Sequence, residues 1–128
     1  MVNYKNLPLW NHQLVAIKDG AEYLNDPHTT KNYLIKMPTG SGKTGIMAVL
    51  SRIIFSDKNF LIVIPSVVLR EQLIEQLSKD FWEDKRKMNI KESDLPPKEI
   101  VELLPKNMEE IRNTFDSKKK YIYICVRF

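Results

Sequence analysis

Residues able to grip a polyphosphate are concentrated in one stretch, Met37-Pro38-Thr39-Gly40-Ser41-Gly42-Lys43-Thr44. Gly40 and Gly42 can take backbone conformations closed to residues with a Cβ, so successive N–H groups can turn inward around an anion. Lys43 brings an ammonium group for the β- and γ-phosphates, and the Thr44 hydroxyl can take a place on Mg²⁺. Such a loop works between a strand that ends at it and a helix that starts from it. The helix adds its free N-terminal amides and the positive end of its dipole. The flanking sequence predicts both elements. Tyr33-Leu34-Ile35-Lys36-Met37 reads as a buried strand, and Gly45-Ile46-Met47-Ala48-Val49-Leu50 as a helix ending near residues 55–57. The strict phosphate-loop pattern opens with glycine; Met37 stands there, so the match is to the looser form.

The elements that must position this loop can be traced along the chain. Leu9, Trp10, Leu14, Ile17, Ala21 and Leu24 recur at helical spacing, and Asn25-Asp26-Pro27-His28-Thr29-Thr30 reads as a loop. Phe60-Leu61-Ile62-Val63-Ile64 is an apolar run stopped by Pro65, predicting a strand buried on both faces of a parallel sheet. Ser66 can cap the next helix, whose row Leu69, Leu73, Leu77 and Phe81 should pack on that sheet. After Trp82 the chain turns charged and reads as a solvated connection. A third strand is expected over 99–104, a helix over 107–115 and a fourth strand over 121–126, entered through a solvated run, Lys118-Lys119-Lys120. Alternating strand and helix predict an α/β fold with a parallel sheet.

Bulk properties narrow the class. The 128 residues match one modest domain, and 43% apolar with 28% charged residues excludes a disordered composition. A net charge of +4 permits an anionic partner without identifying one. Cys125 is the only cysteine, which excludes an internal disulfide and a cysteine zinc cluster. Its neighbours Ile124 and Val126 predict a buried strand thiol. No apolar core follows Met1-Val2-Asn3-Tyr4-Lys5 and no run reaches membrane-spanning length, which predicts a cytoplasmic protein without a membrane partner.

Two further groups gain meaning from the loop. Gln13, one helix upstream, carries an amide that complements adenine N6 and N7. Pro65 and Ser66, with Leu69, Arg70 and Gln72, follow the C-terminal end of a strand, where ligands of open α/β sheets collect. In order and spacing the three groups resemble the opening of a superfamily 2 helicase or translocase core of the DEAD/DEAH-like kind. The similarity is to translocating subunits of type I and type III restriction enzymes and related repair helicases, over about Leu9 to Leu77. The resemblance implies a partial RecA-like domain that binds ATP and Mg²⁺. Its candidate catalytic residues are Lys43 and Thr44, with Thr44 also holding the metal through its hydroxyl. The nucleotide would be held by Gln13, Pro38, Thr39, Gly40, Ser41, Gly42, Lys43, Thr44 and Gly45. Ser66, Arg70 and Gln72 would meet the nucleic acid, DNA in preference to RNA.

The sequence also departs from that family. Trp10 and His12 replace the arginine and tyrosine of its Leu-Arg-x-Tyr-Gln segment, and Val126-Arg127-Phe128 stand where a threonine is usual. No apolar run ends in Asp-Glu, the pair that holds Mg²⁺ and activates water. Phosphoryl transfer rests on positioning and charge stabilisation, so these residues alone are expected to bind nucleotide with hydrolysis near background. The expectation is of an N-terminal part, residues 1–128, with an incomplete sheet, whose partners would be the remainder of a helicase core or nuclease or methylase subunits. A truncated reading frame or a split subunit would both produce it. The alternatives are a non-catalytic nucleotide- or nucleic-acid-binding fragment and a P-loop kinase, although no arginine-rich lid is laid out.

Overall fold

In the computed structural model, which describes residues 2–29, 32–38, 40 and 42–127, three of the expected strands form and pair in parallel. They are β1 (Phe60–Ile64), β2 (Glu99–Leu103) and β3 (Tyr121–Val126), in the order β1-β3-β2. Ile62 lies opposite Ile124, Ile64 opposite Val126, and Ile100 opposite Ile122, so their side chains share one face. On that face β-branched side chains form the sheet's half of the core.

Helices supply the other half. α1 (Asn11–Asn25) packs on α2 (Lys43–Val49), which passes into a π-helical turn, Leu50–Ile54. α3 (Val67–Glu75) continues through a second π turn, Gln76–Asp80, into α4 (Phe81–Glu83). Ser66 starts α3 by accepting the Leu69 N–H at 3.3 Å, the cap its side chain predicts. Leu73, Leu77 and Phe81 of the expected row are buried with Ile46, Val49, Ile62 and Ile124. Leu69 is 44% exposed, because the row turns onto the sheet only in the second turn. α5 (Met108–Arg112) leads to Thr114 and Phe115, which cover Tyr123 from the opposite face. The two rings meet edge-on at 5.2 Å, and Thr114 Oγ1 lies 2.5 Å from the Tyr123 hydroxyl.

Three expectations are corrected. Tyr33–Met37 forms no strand and carries no strand pairing among the described residues, and Tyr33 and Leu34 are 44% and 82% exposed. Apolar composition gives a segment strand propensity, but a strand exists only where a neighbour completes its ladder. β1 is not buried on both faces: Leu61 and Val63 point away from the helices and remain exposed. Cys125 in turn is only half-buried.

The charged connection after Trp82 is less solvated than its composition suggests. Met88, Leu95 and Lys98 are buried in it. Lys98 Nζ donates to the carbonyls of Ser51 at 2.5 Å and Phe55 at 2.9 Å, in and just after the π turn that follows α2. Arg52, itself buried, donates from Nε to Pro96 O at 2.8 Å and pairs through Nη2 with Glu92 at 2.5 Å. Two cations therefore sit at the carbonyl end of the α2 helix, where its dipole favours them. Burial, reinforced by the Arg52 charge, pulls the Lys98 pKa down to about 8. In the unfolded chain a lysine keeps its ordinary value near 10.4. Between these values the unfolded state holds a proton that the folded state has lost, so this group raises stability as pH increases through the window. Melting temperatures at pH 7 and pH 9.5 should show a gain in the wild type relative to Lys98→Met. Equal responses of the two proteins would refute the assignment.

Candidate nucleotide-binding site

α2 begins at Lys43, immediately after a glycine whose conformation decides the local geometry. Gly42 lies at φ +86°, ψ +34°, a left-handed conformation unfavourable for any residue with a Cβ. Its carbonyl accepts the first bonds of the helix, from Gly45 N–H at 3.1 Å and Ile46 N–H at 3.4 Å. Gly40 is likewise left-handed, at φ +79°. Lys43 and Thr44 occupy the first turn, where an α-helix offers its own amides no carbonyl partner. Lys43 is exposed and Thr44 half-buried. Pro38 is exposed; Thr39 and Ser41 lie outside the described residues.

Gln13 sits over this turn. It is buried, with 6% exposure. Its Nε2 donates to Gly42 O at 3.0 Å, and its Oε1 accepts the Trp10 N–H at 2.9 Å. One amide thus caps the start of α1 and braces the start of α2. A Cβ built on Gly42 would lie 2.1 Å from Gln13 Nε2. One on Gly45 would lie 2.8 Å from the same atom and 3.0 Å from Phe81 Cε2. Both glycines are therefore needed for close approach, and Gly42 for its backbone conformation as well. An amide offers two N–H donors and two acceptor lone pairs, so Gln13 keeps one of each beyond the bonds described.

Ser66, Arg70 and Gln72 form a second group on α3, past the C-terminal end of β1. Ser66 is engaged as the cap, Gln72 is exposed and Arg70 is half-buried. Arg127 N–H donates to Ile64 O at 2.8 Å, which carries the β1–β3 pairing beyond the strand ends. Residue types did not single out Phe81, which closes one side of Gly45, nor Glu102, which lies 3.7 Å from Arg70. Phe81 was legible only as one more apolar position in a helical row. Glu102 carried no sequence signal beyond its charge.

Residues 6–126 match a family model, that of the res subunit of type III restriction enzymes. The chain belongs to that family. No curated protein and no solved structure matches. Membership accounts for the mixed helix–strand architecture as a partial RecA-like phosphate-loop domain with a parallel sheet. It also implies an ATP-dependent, helicase-type N-terminal domain, a class that works with ATP, Mg²⁺ and nucleic acid. Among the described residues no helix is long and apolar enough to cross a membrane.

Donor chemistry at the res-family loop suits a nucleotide's phosphates better than a metal held by protein alone. Left-handed glycines, first-turn amides and the Lys43 ammonium all favour an anion. For Mg²⁺ the loop contributes the Thr44 hydroxyl. Among the described residues no group of three or more His, Cys, Asp or Glu could hold a metal ion. Mg²⁺ accepts that arrangement when substrate phosphates and water complete its octahedron. It would then arrive with the nucleotide, neutralising phosphate charge.

Proposed function

We propose that this chain is the ATP-binding N-terminal portion of an ATP-dependent DNA helicase or translocase of the restriction or repair type, acting in the cytoplasm. The observation that carries the reading is the left-handed Gly42 at the start of α2, braced by the buried Gln13 amide and followed by Lys43. In this reading Pro38, Thr39, Gly40, Ser41, Gly42 and Gly45 form the phosphate cradle. Lys43 reaches the terminal phosphates and Thr44 takes a place on Mg²⁺. Gln13 reads adenine by trading its bond to Gly42 O for the base, which would couple nucleotide occupancy to the start of α2. Ser66, Arg70 and Gln72 meet the nucleic-acid backbone.

The same reading makes residues 1–128 an incomplete sheet domain. β1 is paired on one side only among the described residues, its outward side chains Leu61 and Val63 are exposed, and Tyr33–Met37 lies outside the sheet. A further part of the helicase core would cover these groups and supply the water-activating carboxylate. Nuclease or methylase subunits are compatible companions. Alone, the chain binds nucleotide and hydrolyses it near background.

Calorimetric titration with Mg·ATP tests the claim directly. A charge-assisted hydrogen bond contributes about 1.5–3 kcal/mol, so Lys43→Ala should weaken binding roughly ten- to hundredfold with the melting temperature unchanged. Absence of binding heat from folded wild-type protein, or identical affinities of the two proteins, would end this interpretation.

A further inference from the structure

Arg70 stands out among the residues assigned to nucleic acid because it already has an anion beside it. Its Nε is buried and makes no hydrogen bond among the described residues. The nearest carboxylate oxygen is Glu102 Oε2 at 3.7 Å, close enough for charge attraction and too far for a hydrogen bond. The contact lacks the two-pronged geometry that makes arginine–carboxylate pairs strong. Glu102 comes from β2, opposite Ile124, and so from the sheet face that the helices cover. Its side chain is 39% exposed while that of Arg70 is 16% exposed. The carboxylate can return to water easily; the guanidinium cannot. A partly exposed pair of this kind contributes about 0–1 kcal/mol, which a competing phosphate can exceed.

We propose that Glu102 is a stand-in for phosphate, holding Arg70 as a latent backbone contact that a nucleic-acid strand engages only by displacing the carboxylate. This rests on the reading that the strand end beyond β1 faces nucleic acid, and it adds a control on that site. The electrostatic consequence is specific. While Glu102 stays beside it, Arg70 neutralises a phosphate only by releasing a negative charge next to that phosphate. The exchange therefore contributes almost nothing to counterion release. With Glu102 uncharged, Arg70 counts in full.

The test is the salt dependence of binding to a labelled DNA oligonucleotide, measured on the whole chain between about 50 and 200 mM salt. Glu102→Gln should tighten binding several-fold at low salt. It should steepen the logarithmic salt slope by about 0.7 for a single strand or about 0.9 for a duplex. Glu102→Gln combined with Arg70→Gln should return the slope to the wild-type value, and Arg70→Gln alone, which leaves the Glu102 charge uncompensated, should weaken binding and make the slope shallower than that of wild type. A merely structural tie between β2 and α3 would lower the melting temperature in Glu102→Gln and leave the slope alone; that result overturns the proposal. A steeper slope that survives in the double variant overturns it as well. If wild type binds with a normal salt slope and Glu102→Gln matches it, the nucleic-acid reading stands and the stand-in role fails. Should neither protein bind DNA while Mg·ATP still binds, the nucleic-acid reading fails and this proposal with it.

Discussion

Trp82→Ala is expected to unfold the protein or lower its melting temperature by roughly 10–25 °C. Trp82 has no exposed surface and packs edge-on against Phe81, with ring centroids 4.9 Å apart. Its carbonyl also accepts Ile90 N–H at 2.6 Å, so it anchors the segment that turns back toward β2. Truncating a buried tryptophan costs about 3–5 kcal/mol, a large share of the roughly 5–15 kcal/mol typical of a whole domain. The indole makes the prediction sharper. Trp82 Nε1 is buried without a hydrogen-bond partner among the described residues, a liability of about 1–3 kcal/mol. Trp82→Phe keeps much of the ring and removes that donor, so its loss should be under half that of Trp82→Ala. Thermal melts of the three proteins decide the matter. Equal losses in the two variants would mean that a specific indole contact, rather than apolar volume, holds this corner.

Gly42→Ala should impair stability and nucleotide binding together. The left-handed backbone costs a residue with a Cβ about 1–2 kcal/mol. The new methyl would stand 2.1 Å from Gln13 Nε2, so Gln13 must withdraw and give up its bonds to Gly42 O and Trp10 N–H. Each such bond contributes about 0.5–1.5 kcal/mol, for a combined loss of roughly 2–5 kcal/mol. Gly40→Ala is the control. It shares the positive φ, but among the described residues nothing lies within 4 Å of the point its Cβ would occupy, so its melting temperature should show only the backbone penalty. Combining Gly42→Ala with Gln13→Ala removes the obstruction, and the double variant should be less damaged than the sum of the single changes. Strict additivity in melts and Mg·ATP titrations would show that Gln13 does not brace this turn.

How far these features could be foreseen depends on the range of the forces involved. The Ser66 cap, the β1, β2 and β3 runs and the helix that starts after the left-handed Gly42 are local patterns, and each sits where its residues indicate. Tyr33–Met37 has the same apolar signature as β1 yet forms no strand, because pairing belongs to two segments and composition describes one. The stretch after Trp82 looked solvated because its charges are visible in sequence while their partners are not. Arg52 meets Glu92 and Lys98 meets the Ser51 and Phe55 carbonyls across some forty residues of chain.

Residue order alone therefore determined the family and the parallel α/β plan, since glycine conformations, helix caps and apolar periodicity act over a few neighbouring residues. Only the tertiary structure decided that Gln13 closes on Gly42, that Glu102 stands beside Arg70 and that Leu61 and Val63 remain uncovered. Those facts arise from the approach of distant segments. Hydrogen bonds and close charge contacts depend on distances that no single stretch of sequence contains.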